Sequence, residues 1–439
     1  MQSTYGDCVS TLSLSKDYTK LFLIIVGYGA IENSKVCQCF LYYRRKIMKK
    51  SVLAVSFGLA VAMVGTSVGL TSCGNGDLGT EIALVTDVGN IDDQGFNQAC
   101  WEGVQEFSKK KGLGYNYYRP MKDSTTERVN SMEQAISDGA KVLVLPGYLF
   151  NSAAKIIQDK HPEVIILGND VSPSDDDNGY TPYDFNKNTT SVVYQEEQSG
   201  FFAGYGAVLE GYTKLGFVGG QSVPAVVRYG QGYLYGANLA AQELGLAAGA
   251  IDVKYYYAGT FAPDPNITTK VSGWYTSGTE AVFSCGGGIV SSIVEACTQT
   301  NDPKKKVIGV DVDQSYLADC VITSAMKNLK HTTVSYLESL YDNDMKWTSV
   351  DGEDVAGKLL NKGAKTDSVS LPTEKYTYKP ENGQEKEIDP WRFTTFTKEQ
   401  YKAVFDKVVA GTVTVPAIAD ANGHQTAATL THLTINYSA

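Results

Sequence analysis

From residue 81 onward, short apolar runs alternate with stretches in which apolar residues recur every three or four positions. The runs predict strands over 82–86, 115–118, 141–145, 164–167, 215–218, 253–257, 281–284 and 307–310. Several are apolar throughout, without alternation of period two, as parallel strands covered on both faces are. The periodic stretches predict helices over 94–110, 126–137, 151–160, 196–209, 226–244 and 290–300. Asp123 or Ser124 ahead of the second helix, and Asn151 at the opening of the third, have side chains suited to cap a helix N-terminus.

This beat predicts an α/β fold of doubly wound parallel sheets, and eight or more strands divide naturally into two of them, that is, two lobes. The Asp-, Pro-, Asn- and Gly-rich loop 172–186 places the division near residue 188. The expected lobes are 81–188 with 312–345, and 189–311 with 346–439. Beyond residue 350 the beat fades into a polar segment, and 351–390 receives no assignment. It resumes over 398–409 and 412–416.

The amino end has a different pattern. Arg44, Arg45, Lys46, Lys49 and Lys50 precede an apolar run over 52–70 with several Gly and Ala, which reads as an export signal. The run ends in Leu70-Thr71-Ser72-Cys73, similar to the bacterial lipobox, where cleavage precedes a Cys whose sulfur receives a diacylglyceryl group. A membrane-spanning anchor is the competing reading, since such a run approaches the roughly 18 to 20 residues needed. The small residues and the closing Cys favour cleavage. Residues 48–73 make a complete lipoprotein signal starting at Met48, so 1–47 reads as an upstream extension and 74–80 as a tether. The expected location is the extracytoplasmic face of the cell membrane, held by acyl chains on Cys73.

Composition narrows the function. With 43% hydrophobic and 20% charged residues the chain is globular, and 439 residues exceed one ordinary core of about 100 to 200. Lys+Arg 38 against Asp+Glu 48 gives a net charge of −10 with no basic block, which argues against nucleic acid. His161, His331, His424 and His432 do not fall at metal-ligand spacing, and no HExxH, CxxC, GxSxG or GxxxxGK[ST] occurs. Neither metal nor cofactor is expected. Asp175 to Asp177 do not fit a calcium-loop spacing and read as a solvated acidic turn. Cys100, Cys285, Cys297 and Cys320 are too scattered for a disulfide framework and read as buried thiols, although an exported chain permits a bridge.

In open parallel sheets ligands bind beyond the carboxyl ends of the strands. Here those ends deliver Asp87, then Phe96 and Asn97; Asp170; Gly219-Gly220; Gly259-Thr260-Phe261; Gly286-Gly287-Gly288; and Asp311. A carboxylate accepts hydrogen bonds from vicinal hydroxyls, two Phe rings can clamp a flat ring, Asn both donates and accepts, and a Gly run admits close backbone approach. Taken singly, a strand-end Asp serves as well for a turn, and a Phe for core. The pattern alone reaches a small polar ligand held between two lobes.

Ala83-Leu84-Val85-Thr86-Asp87, Asp92-Asp93-Gln94-Gly95-Phe96-Asn97-Gln98 and Trp101-Glu102-Gly103 resemble the opening of the basic membrane protein family of bacterial lipoproteins. So, in the family's order, do Glu196-Glu197-Gln198-Ser199-Gly200, Gly216-Phe217-Val218-Gly219-Gly220, Gly259-Thr260-Phe261, Gly286 to Gly288, Gly309-Val310-Asp311-Val312-Asp313-Gln314 and Thr323-Ser324, together covering about 80–330. The resemblance implies a type I periplasmic-binding-protein fold, two lobes around a hinge crossed three times, and a purine nucleoside receptor feeding an ABC importer. It implies that Phe96 and Phe261 sandwich the base, Asn97 bonds its edge and Asp170 reads base or sugar. Asp87, Gly287 and Asp311 would hold the ribose, with Lys327 at the sugar end. It implies permease and ATPase subunits as partners, a monomer, and no chemistry on the ligand.

The chain departs from the family at Gly95, where Ser is frequent, and at Tyr229, where Phe is; the loop 172–184 and the segment after 350 are longer than usual. Two rivals stay open: a sugar or furanose-signal receptor of the same fold, and a lipid-anchored sensor or adhesin without transport. A nicotinamide-dependent oxidoreductase is disfavoured, because Gly89-Asn90-Ile91-Asp92 lacks the GxGxxG phosphate turn.

Overall fold

The computed structural model describes residues 79–380, 383–417 and 430–438; the extension 1–47, the leader 48–73 and the tether up to residue 78 lie outside the described residues. In chain order the sheet strands are β1 (Ile82–Val85), β2 (Tyr115–Tyr118), β3 (Val142–Pro146), β4 (Ile165–Asn169), β5 (Thr189–Tyr194), β6 (Lys214–Gly219), β7 (Ile251–Tyr257), β8 (Ala281–Cys285), β9 (Lys306–Asp311), β10 (Val321–Lys327), β11 (Leu359–Lys362), β12 (Val369–Ser370) and β13 (Leu433–Ser438). The helices are α1 (Phe96–Lys111), α2 (Thr125–Ser137), α3 (Asn151–Lys160), α4 (Glu196–Leu209), α5 (Pro224–Glu243), α6 (Pro265–Thr276), α7 (Val290–Gln299), α8 (Leu329–Asp342) and α9 (Lys398–Val409).

Two sheets form. The first has the order β11-β5-β4-β3-β1-β2, parallel throughout. The second runs β12-β10-β9-β8-β6-β7-β13, parallel except for the short β12, which opposes β10. The apolar runs behave as parallel strands should: β1 and β3 are buried at every position, with helices on both faces.

The pairing shifts the expected lobe boundaries. β5, assigned to the second lobe by the division at 188, is hydrogen-bonded into the first sheet beside β4. β10, assigned to the first lobe, pairs with β9 in the second sheet, and β11 returns to the first sheet. The chain therefore passes between sheets at Gln195, at Asn328 and over 363–368. The local pattern did not show these edges because TTSVVY and VITSAMK carry buried Thr and Ser inside the strand. α6 and α8, unassigned in sequence, also form. No strand occurs at 412–416, and the 351–390 segment contains β11, β12 and a small hairpin, Tyr376–Tyr378 against Lys386–Ile388.

Local chemistry sets several ends. Ser124, not Asp123, caps α2, its hydroxyl accepting from the Glu127 N–H at 3.3 Å. Thr397 and Gln400 form a reciprocal capping box on α9. Asn151 is not a cap: it is the first residue of α3, and its amide donates to Asp176 at 3.0 Å and accepts from the Ser172 N–H at 2.8 Å. With Lys155 on Asp175 at 2.9 Å, it fastens the acidic loop to α3. Cys100, Cys285, Cys297 and Cys320 are free thiols.

The second lobe is organised by a close crossing of α4 and α5. A Cβ built on Gly232 would lie 1.9 Å from the Glu197 carbonyl oxygen, one on Gly204 2.0 Å from that of Tyr233, and one on Gly236 2.0 Å from that of Phe201. Backbone, which cannot yield as a side-chain tip can, is the obstacle in each case. Gly232→Ala gains about 1 kcal/mol of helix propensity but overpacks the crossing by about 1 to 3 kcal/mol. We expect a net loss on the order of 1 kcal/mol, read as a lower urea midpoint; an unchanged or higher midpoint would mean the helices separate without cost.

Candidate functional site

The ends of β1, β4, β7, β8, β9 and β10 converge on one cleft between the sheets. It holds about 590 Å³ of atom-free space, part of it open to solvent. All eight residues singled out in sequence line it: Asp87, Phe96, Asn97 and Asp170 from the first lobe; Phe261, Gly287, Asp311 and Lys327 from the second. Phe96, at the start of α1, and Phe261, in the loop after β7, thus belong to opposite walls. Gly220 makes room for the second ring, since a Cβ there would lie 2.4 Å from Phe261 Cδ1.

On the first-lobe wall, Asp87 Oδ1 accepts from the Gly89 N–H at 2.6 Å and from Asn97 Nδ2 at 2.9 Å. Asp93, which sequence reasoning passed over as part of a motif, accepts the N–H groups of Gly95, Asn97 and Gln98 at 2.9, 3.0 and 3.1 Å, holding the N-terminus of α1. Asn97 Nδ2 also donates to Asp93 at 3.1 Å. Both donors of this amide are therefore engaged by protein carboxylates, and Oδ1, which accepts the Asp87 N–H at 3.4 Å, keeps a second lone pair. Burial pushes Asp87 up to about 6, with the Asn97 and Gly89 donors pulling the other way. It raises Asp93 too, against the same kind of donors.

On the opposite wall Lys327, the last residue of β10, is buried with three carboxylates around its ammonium. It hydrogen-bonds Asp170 and lies 3.0 Å from Glu196 Oε1 and 3.9 Å from Asp311 Oδ1. The rings of Phe96, Tyr194 and Tyr229 surround it at 4.9, 5.4 and 5.5 Å. Burial works against its charge, but Asp170, Glu196 and Asp311 outweigh that and hold it protonated. Burial raises Asp170 while Lys327 pulls it down, and Asp170 Oδ1 has no hydrogen-bond partner among the described residues. Burial raises Asp311 to about 6, with Lys327 opposing, and Tyr229 donates to it at 3.3 Å. Glu196 is different: burial would raise it, yet Arg228 and Lys327 hold it below its ordinary value.

Asp170 and Asp311 both have positive φ, 60° and 65°. Asp311 is the centre of a three-residue turn closed by the Val312 N–H on the Val310 carbonyl at 2.7 Å, a rare and strained form. Such strain, of order 1 to 3 kcal/mol, concentrates at ligand sites.

The lobes touch on both sides of the cleft. Gln314 Nε2 donates to the Gln94 carbonyl at 2.8 Å, and Gly287 approaches Gly95. Arg228 donates to the Tyr148 hydroxyl and, at 2.6 Å, to Glu196. Tyr148, Glu196 and Arg228 were not singled out as site residues. The available signal was weak: Glu196 is one of two acidic residues opening α4, and Arg228 is the one basic residue of α5.

Four Asp and one Lys are the charged residues lining the cleft, so it favours a ligand rich in donors and opposes an anion. No metal-ligating cluster and no helix able to cross a membrane occurs among the described residues.

Residues 80–390 match the family described as ABC transporter substrate-binding protein PnrA-like. The chain is 32% identical over 287 residues, 62% of its length and 76% of the relative's, to the ABC transporter nucleoside-binding protein BmpA of Lactococcus lactis. It is 26% identical over 324 residues, 71% of this chain and 86% of the relative, to basic membrane protein A of Borreliella burgdorferi. Its fold matches an ABC transporter solute-binding protein from Aeropyrum pernix with a TM-score of 0.64 at 16% identity, over 78% of this chain and 95% of that one. The architecture is the two-lobed type I periplasmic-binding-protein fold.

Removing one partner of a buried ion pair costs about 3 to 5 kcal/mol. Lys327→Met should lose stability on that scale at pH 8. Without the ammonium, Asp170 and Asp311, which burial already raises, lose the charge that opposes that rise and bind protons more tightly folded than unfolded, so stability rises as pH falls. Denaturation midpoints should therefore show a smaller deficit at pH 5 than at pH 8; a deficit independent of pH would mean the carboxylates do not depend on Lys327.

Proposed function

The chain belongs to the PnrA-like substrate-binding proteins of ABC transporters, which bind a ligand and are not enzymes, and from that premise we propose that it captures purine nucleosides between its lobes and delivers them to a permease. The observation that carries this reading is the pairing, in one cleft, of an aromatic ring from each lobe with strand-end carboxylates. Phe96 and Phe261 take the two faces of the base. Asp87, Asp311 and the Gly287 backbone hold the ribose hydroxyls. Asp170 reads base or sugar through its unpartnered oxygen, and Lys327 stands at the sugar end. Asn97 contributes through Oδ1, since its donors orient Asp87 and Asp93. The excess of carboxylates favours nucleosides over their phosphates.

Closure follows from contacts to both lobes: a ligand touching Phe96 and Phe261 together stabilises the arrangement in which Gln94 meets Gln314. The leader pattern ending at Cys73 supports attachment by acyl chains to the extracytoplasmic face of the membrane, with permease and ATPase subunits as partners of the monomer.

A thermal-shift screen of the protein from Gly74 onward tests the reading. A ligand at 100 times its dissociation constant adds about 2.7 kcal/mol to stability. Adenosine, guanosine or inosine should raise the melting temperature and ribose should not; a response to sugars alone would remove the base sandwich.

By calorimetry, Asp311→Ala should abolish tight nucleoside binding, and Phe96→Ala should cost roughly tenfold or more, with purines losing more than pyrimidines. Equal losses for both would count against stacking. Acid should weaken binding as well. Asp87 and Asp311 ionise near 6, and the ligand needs their ionised form, so affinity is full above that pH and falls below it. We expect about tenfold or more between pH 7 and pH 5; a flat profile would exclude these carboxylates as acceptors.

A further inference from the structure

Outside the closed cleft, beyond the contact of Gln94 with Gln314, lies a second and wider space of about 810 Å³. One wall is α1 of the first lobe, with Gln98 and Glu102. The other is Asp313 and Tyr316 of the second lobe together with Tyr376 and Tyr378 from the small hairpin. That hairpin follows β12 and is fixed to the second lobe by Arg392, which donates to the carbonyls of Ala318, Val321 and Ser315.

The walls are built for a flat ligand. Tyr316 and Tyr378 stack at 4.6 Å and 28°, with the Lys386 ammonium 5.8 Å from the centre of the Tyr378 ring. The Tyr376 hydroxyl hydrogen-bonds Asp313, whose oxygens are also fixed by the Ser315 N–H at 3.0 Å and hydroxyl at 2.7 Å. Gln98 Nε2 donates to Glu102 Oε1 at 3.0 Å, leaving Oε2 as an acceptor at the edge. The charged lining residues are Glu102 and Asp313, so an anion is opposed here as in the inner cleft.

We propose that this tyrosine-walled vestibule is a second binding site, weaker than the inner one, for an uncharged flat heteroaromatic ligand bearing hydrogen-bond donors, which on the nucleoside reading above is a second nucleoside. Its ring stacks on the tyrosines and its donors reach Glu102. Because the walls belong to different lobes, occupancy of the vestibule favours the closed arrangement and slows release from the inner cleft.

Calorimetry of the whole mature protein with adenosine, guanosine and inosine tests this, with Tyr378→Ala and Tyr378→Phe beside the unaltered chain. Two phases are expected, tight and weak. Tyr378→Ala should weaken the second by about tenfold, since stacking is the interaction removed. Tyr378→Phe should leave it within about twofold, and both variants should keep the tight phase, which shows that they fold. A single tight phase up to millimolar ligand, or a weak phase indifferent to Tyr378→Ala, overturns the vestibule and leaves the nucleoside reading standing. No binding in either phase overturns both.

Discussion

The closed cleft depends on one buried ammonium. Lys327 ends β10, the last residue before the chain leaves the second sheet, and its charge meets Asp170 of the first lobe, Asp311 of the second and Glu196 just beyond the first crossing. Three carboxylates so close would repel one another and would each bear a desolvation cost; gathered around one cation they remain buried together. The aromatic rings about Lys327 add attraction for its charge and keep water from it. A cluster of this kind is poor value as stability alone, since apolar side chains of equal volume pack as well. The cluster sits at strand ends and faces the cleft.

Asp87 and Asp93 meet the same problem without a cation. Their charge is spread over N–H donors: Gly89 and the Asn97 amide for Asp87, and the exposed N-terminus of α1 for Asp93. The two walls therefore differ in character. The first-lobe pair is held largely by the backbone around the start of α1, while the Lys327 cluster joins groups from both lobes.

What could be read beforehand follows the same division. β1, β3, β4, β6 and β8 are continuous apolar runs, so their carboxyl ends, and with them Asp87, Asp170 and Gly287, were visible from pattern and topology. Phe96 and Phe261 were legible as rings able to clamp a flat ligand, whereas Lys327 acquired a role only through the resemblance of its neighbourhood to a family. β5 and β10 were hidden by buried Thr and Ser whose hydroxyls bond across the fold, as Ser324 does to the Gln314 N–H at 3.0 Å. β13 was hidden for a different reason: it pairs with β7 across a separation that no local periodicity records. Glu196 and Arg228 sit in helices that the sequence predicted without giving these charges a site role, and the close approach of α4 and α5 brings the two together.

That helix crossing explains how a charged cluster can be held accurately. Gly204, Gly232 and Gly236 bring the two backbones into contact, so Glu196 at the start of α4 and Arg228 in the first turns of α5 are positioned by rigid backbone rather than by flexible side chains. Arg228 holds Glu196 ionised, and ionised Glu196 helps keep Lys327 charged. Arg228 also reaches Tyr148 on the first lobe, so the same guanidinium reports lobe closure to the cluster. Opening the cleft breaks the Tyr148 contact and separates Asp170 from Lys327. The unpaired charges that result must be rehydrated, which sets an electrostatic cost on opening.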